Sequence, residues 1–111
     1  MALTFELATF SVREAQEASL VAERPQMIAA LGRAFPGLLA AWLAKRDDGS
    51  WIDLILWHSR EEAEHAAKHV DGVPAAKAWF RHIAESHGLQ HVEVAHEELF
   101  ELVRRSNRRD P

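Results

Sequence analysis

Two histidines one helical turn apart, His65 and His69, are the first residues in this chain whose spacing could do chemistry. Many helix-borne metal sites use that i, i+4 separation. Upstream, Trp57-His58 closes an apolar run, and Trp79, Phe80 and His82 form a second aromatic cluster. A histidine beside an apolar cleft can act as a general base, because its ordinary pKa of about 6.5 lies near working pH. His69 and His82 are the candidate bases. Trp57, Trp79, Phe80, Met27 and Leu31 are the candidate walls of a cleft for a flat, hydrophobic ligand. Each assignment has a plainer counterpart. A histidine can be bonded to a carboxylate or carbonyl, and a tryptophan can be core or interface packing.

The missing residue types narrow the chemistry further. The chain has no cysteine, which excludes disulfides, thiolate catalysis and cysteine-ligated metal. It has no tyrosine, and its single asparagine is Asn107. The formal net charge of −4 offers no overall positive field for nucleic acid. Arg104, Arg105, Arg108 and Arg109 make the end of the chain basic, but no aromatic residues interleave with them, and they read as a solvated terminus. No run of 18 apolar residues and no basic-then-apolar leader are present, so no membrane partner is expected. The absence of cysteine fits a cytoplasmic protein. There is no glycine-rich phosphate loop and no G-x-S-x-G. No metal and no cofactor is expected.

These side chains need elements to hold them. The stretch "LTFELATFSV" (3–12) has the β-branched and aromatic content of a strand. Ser11-x-x-Glu14 has capping-box spacing, so a helix is expected from about residue 12, with Ala15, Ala18 and Ala22 on one face. Pro25 should break or kink it. Helix then resumes with Met27, Leu31, Ala34 and Phe35 on a common face, and Pro36-Gly37 ends it. Strands are expected over 38–46 and 50–58, joined at Asp48-Gly49, a strong hairpin signal. Ser59-x-x-Glu62 is a second capping box, opening a helix with Ala63, Ala66, Ala67 and Val70 as its apolar stripe. On a helical wheel His65 falls roughly 150° and His69 roughly 110° from the centre of that stripe, which favours a solvated face over a metal site. Gly72 stops this helix. Pro74 starts another, carrying Ala76, Trp79, Phe80 and Ile83 and ending at Gly88. A fourth strand is expected over 89–96, and "EELFELVRR" has the pattern of a closing amphipathic helix before a frayed end.

The resulting order, β-α-β-β-α-β, is the α+β ferredoxin-like arrangement: a four-stranded antiparallel sheet with helices on one face. The strands, however, are apolar on both faces. Half-solvated antiparallel strands normally alternate apolar with polar residues. Burying one tryptophan is worth on the order of 4–6 kcal/mol, against a typical total stability of ~5–15 kcal/mol. A second copy of the chain is therefore expected against the uncovered face, with Trp42 and Trp51 as interface candidates. His58 alternates with Trp57 and should point to the opposite face.

Three features carry a resemblance. They are Pro36-Gly37 ahead of "LLAAWL", the Asp48-Gly49 hairpin, and Trp57-x-Ser59-x-Glu61-x-Ala63 at a strand-to-helix junction. Together, over roughly residues 3 to 96, the chain resembles the dimeric α+β barrel superfamily, specifically proteins related to the antibiotic biosynthesis monooxygenases (ABM). The resemblance implies a homodimer with an apolar cleft between sheet and helices. Some members oxygenate polycyclic aromatics without metal or flavin, using asparagine, tryptophan and tyrosine in the cleft. Others bind and degrade haem, using an asparagine on the first strand, a tryptophan in the helix after the third strand and a later histidine. This chain lacks the tyrosine and the early asparagine. Ala66 and Ala76 stand where the haem degraders' tryptophan and histidine would align.

The chain is thus expected to carry an ABM-like domain over residues 1–96 and a C-terminal helix and basic tail over 97–111. It would form a homodimer binding a hydrophobic or aromatic small molecule, as a cofactor-independent monooxygenase in one reading. A non-catalytic dimerisation or ligand-sensing module and a haem-binding or haem-degrading relative are the alternatives.

Overall fold

The computed structural model describes residues 2–99. Four strands, β1 (Thr4–Val12), β2 (Leu38–Lys45), β3 (Trp51–Trp57) and β4 (Ile83–Glu93), form one antiparallel sheet in the order β2-β3-β1-β4. Three helices, α1 (Glu17–Ala34), α2 (Arg60–His69) and α3 (Pro74–Phe80), complete the ferredoxin-like α+β fold. A 3-10 turn at Val70–Gly72 joins α2 to α3. The hairpin between β2 and β3 turns at Asp48-Gly49, with Gly49 at φ +90°. Asp48 Oδ1 accepts from both the backbone and the hydroxyl of Ser50 (2.9 and 2.6 Å) and so closes the turn.

Pairing fixes which residues share a face. Thr4, Glu6, Ala8 and Phe10 of β1 lie opposite Trp57, Ile55, Asp53 and Trp51 of β3. Those four β3 residues are all buried, whereas Ile52, Leu54 and Leu56 between them are only half-buried. The core joins the buried set to Leu20, Met27, Leu31, Ala63, Ala66, Ala76 and Trp79 of the helices. On the opposite face, Phe5, Leu7, Ile52, Leu54 and Leu56 meet Trp42, which is 44% exposed, and Val92.

Ser59 caps α2 as expected. Its hydroxyl accepts the Glu62 N–H at 3.2 Å and donates to the Glu62 carboxylate at 3.1 Å. Ser59→Ala should remove about 1 kcal/mol, a fall of roughly 4–8 °C in Tm by calorimetry. Gly37 lies beside this junction, and a Cβ there would overlap the Glu62 carboxylate, which would have to swing away from its bonds to Ser59 and His58.

Four sequence expectations are corrected. Ser11-x-x-Glu14 caps nothing, because β1 runs on to Val12 and pairs with β4, and α1 starts at Glu17 behind Gln16 with no side-chain cap. The buried stripe of α1 is Leu20, Arg24, Met27 and Leu31, and Ala18 and Ala22 are exposed. Pro25 lies inside α1 without ending it; Pro25 and Val21, four residues back, are both exposed, so the missing hydrogen bond frees a carbonyl on the solvent side. Finally, α3 stops at Phe80 and β4 begins at Ile83, because the segment to Glu93 pairs with β1 through two register shifts, with Gly88 (φ +135°) beside the first. The register shift between Leu38 and Ala40 also turns Leu38 toward the Trp57 side of the sheet. Residues 97–99 are not helical, and the remainder of the expected closing helix and the basic tail lie outside the described residues.

Candidate functional site

A cavity of about 250 Å³ lies between the helix-covered face of the sheet and the helices. Met27 and Leu31 of α1, Ile55 and Trp57 of β3, and Trp79 and Phe80 at the end of α3 make much of its apolar lining. All five candidate cleft residues therefore line one space. The alternation of β3 aims Trp57 at the helices. The α1 spacing stacks Met27 on Leu31, and the short α3 turns Trp79 inward, where its indole N–H donates to the Leu20 carbonyl at 2.8 Å. Phe10 meets Trp79 edge-on with ring centroids 6.1 Å apart, and Phe35 meets Trp57 similarly at 6.3 Å. Trp57 is 2% exposed, and its indole N–H has no hydrogen-bond partner among the described residues.

Two carboxylates interrupt the apolar lining. Asp53, on β3, is neutralised by Arg24 of α1 through a two-pronged bond, Nη2 to Oδ1 at 2.7 Å and Nη1 to Oδ2 at 3.0 Å. The same Nη2 donates to the Trp42 carbonyl, and the guanidinium stands 5.5 Å over the Trp79 ring. Glu6, on β1, pairs across to β4, where His91 Nε2 lies 3.0 Å from its Oε1. Burial is the largest influence on Glu6 and pushes its carboxyl above the ordinary carboxylate range; the Asp53 charge adds to this, and the His91 hydrogen bond and charge oppose it. The Trp57 N–H lies near enough to Glu6 to favour its ionised form, but not in the geometry of a hydrogen bond.

The candidate bases fall elsewhere. His69 is exposed, and its Nδ1 bonds the His65 carbonyl at 2.9 Å. His65, also exposed, stacks beside it with ring centroids 4.3 Å apart. No group of three metal-ligating side chains occurs among the described residues. His82 is buried, but outside the cavity: its Nδ1 meets Gln16 Oε1 and its Nε2 meets Glu23 Oε1 at 2.9 Å. Neither histidine is placed to take a proton from a molecule in the cavity. His58 is exposed and paired with Glu62. Of the interface candidates, Trp42 lies on the uncovered face. Trp51 does not: it is buried under α1, and its indole N–H donates to Glu17 at 3.0 Å. Strand parity alone separates the two, since Trp51 shares a face with Trp57 and Trp42 pairs with Leu54.

Sequence reasoning missed Glu6, His91, Arg24 and Asp53. Each is a charged or titratable residue at an inward position of an otherwise apolar strand or helix, and that was the available signal.

No family model matches the chain, and no curated protein does. Solved structures do. A candidate antibiotic biosynthesis monooxygenase from Bordetella bronchiseptica superposes with a TM-score of 0.69 at 15% identity, over 90% of this chain and all of that one (100%). SnoaB, a cofactor-independent oxygenase from Streptomyces nogalater, gives 0.61 at 19% identity over 89% and 97%. A dimeric ferredoxin-like protein from an uncultured marine organism gives 0.62 at 11% identity over 90% and 94%. Ala66 and Ala76 are packed in the core. No helix among the described residues is long and apolar enough to cross a membrane. The chain has the ferredoxin-like α+β fold of the antibiotic biosynthesis monooxygenase structures.

Proposed function

We propose that this chain forms a homodimer and binds a small hydrophobic or aromatic molecule between its sheet and its helices. The observation that carries the reading is the cavity lined by Trp57, Trp79, Phe80, Met27 and Leu31. An apolar cavity of about 150 Å³ holds benzene, so about 250 Å³ accommodates one or two fused rings. Flat aromatics should raise Tm by mass action, about 2.7 kcal/mol of stabilisation at a ligand concentration of 100 Kd. Ala66→Trp, which fills the cavity from α2, should abolish that shift in a variant that still melts cooperatively. No shift with naphthalene, indole or hemin would remove the proposal, and a shift retained in Ala66→Trp would place binding elsewhere.

Cofactor-independent oxidation of the bound aromatic is the second reading. It is favoured by Glu6, a carboxylate of raised pKa on the cavity wall and thus a suitable proton acceptor. Oxygen uptake on adding a bound aromatic, lost in Glu6→Gln, is the expected result. Binding without uptake would leave a ligand-binding module.

A further inference from the structure

The cavity wall carries two polar groups of opposite character side by side. Glu6 offers carboxylate oxygens, of which Oε1 is engaged by His91. Trp57 offers an indole N–H that is buried and unpartnered among the described residues. Near Glu6 but not hydrogen-bonded to it, this buried donor recovers only part of what it loses on leaving water, which calls for an explanation. Trp79 shows the contrast, since its N–H is satisfied by the Leu20 carbonyl. The helices face this space with apolar side chains, and Asp53 on the sheet side is committed to Arg24.

We propose that Glu6 and Trp57 together recognise a hydroxyl group, so that the cavity selects a hydroxylated one- or two-ring aromatic over its plain hydrocarbon. The hydroxyl would donate to the Glu6 carboxylate and accept from Trp57 Nε1–H, satisfying both groups at once. His91 is a positioning residue: its bond to Oε1 holds the carboxylate against the wall and leaves Oε2 for the ligand. A ring without the hydroxyl would leave the buried Trp57 N–H unpartnered and give Glu6 Oε2 nothing in exchange for water. This inference rests on the binding reading above.

Calorimetric titration of the full chain with naphthalene, 1-naphthol and 1-methoxynaphthalene separates the outcomes. The expected order is 1-naphthol tighter than naphthalene by about ten- to a hundredfold, the range of a hydrogen bond to a charged group. The methoxy compound keeps the acceptor and loses the donor, and should fall back toward naphthalene. Trp57→Phe keeps an aromatic side chain on the wall and loses the N–H; whatever it does to both affinities, the ratio of naphthol to naphthalene affinity should fall severalfold. Glu6→Gln should erase most of the preference. The pH profile gives an independent readout. The groups facing Glu6 are His91, Asp53 held by Arg24, and the Trp57 N–H, with Arg60 bonded to the His91 carbonyl and to Glu93 behind them. Burial raises the Glu6 pKa above its ordinary 4.5, so the naphthol preference should fade as pH drops through a value higher than that, while naphthalene binding stays flat. Naphthalene binding as tightly as naphthol in the unaltered protein overturns the inference and spares the binding reading. Failure of all three compounds to bind overturns both.

Discussion

Replacing Arg24 with alanine is expected to destabilise the fold by about 3–5 kcal/mol, because it strands a buried charge. Arg24 and Asp53 have side chains only 10% and 11% exposed, joined at 2.7 Å. Their bond ties α1 to the middle of β3 and, through the Trp42 carbonyl, to β2. Without Arg24, Asp53 would face an apolar cavity with no cation beside it. Removing both charges is a different matter. An ion pair gains much of its attraction only by repaying the desolvation of two charges, and replacement by apolar residues of similar volume is often neutral or stabilising by about 1–4 kcal/mol. Arg24→Met with Asp53→Leu should therefore be far more stable than Arg24→Ala. Urea unfolding of the single and double variants measures this. A single variant no less stable than the double one would show that the pair carries no such burden.

Leu54→Glu should turn a dimer into a monomer. Leu54 sits mid-strand on the uncovered face, between Leu7 of β1 and Trp42 of β2, with Phe5 close to Trp42 at a centroid distance of 6.3 Å. A two-fold interface repeats every substitution. An unpaired charge buried in an interface costs about 2–5 kcal/mol, so two copies weaken association by at least about 4 kcal/mol, on the order of a thousandfold. Sedimentation velocity should show the unaltered chain as a dimer at micromolar concentration and Leu54→Glu as a monomer. Ala18→Glu, on the exposed side of α1, is the control and should stay dimeric. A monomeric unaltered chain would remove the dimer from the account.

The fold was legible because its signals are short-ranged and redundant. Asp48-Gly49 marks a hairpin, Ser59-x-x-Glu62 a helix start, and Trp51, Ile55 and Trp57 declare a strand face. Where two local signals competed, pairing decided. Ser11 could cap a helix or extend β1, and a β4 partner held it in the strand. Gly88 could end a helix or sit in a bulged strand, and the same β1–β4 ladder chose the latter. The cleft residues were readable for a related reason, since large apolar side chains on one side of an element must meet something. The polar part of the site was not. Glu6 and His91 are 85 residues apart in sequence and become partners only through strand register. Arg24 and Asp53 are 29 apart and need α1 laid across β3. Histidines drew attention because their pKa suits catalysis, yet His69 belongs to a solvated turn and His82 to a structural bond between α1 and the chain after α3.

The claim on which the functional reading turns is that a ring-sized molecule occupies the space beneath the helices. A crystal structure of the protein grown with saturating 1-naphthol tests it most directly. The prediction is planar density between Trp57 and Trp79, with its hydroxyl against Glu6. Density for water alone in that space, or a naphthol bound only at the outer surface, would contradict it.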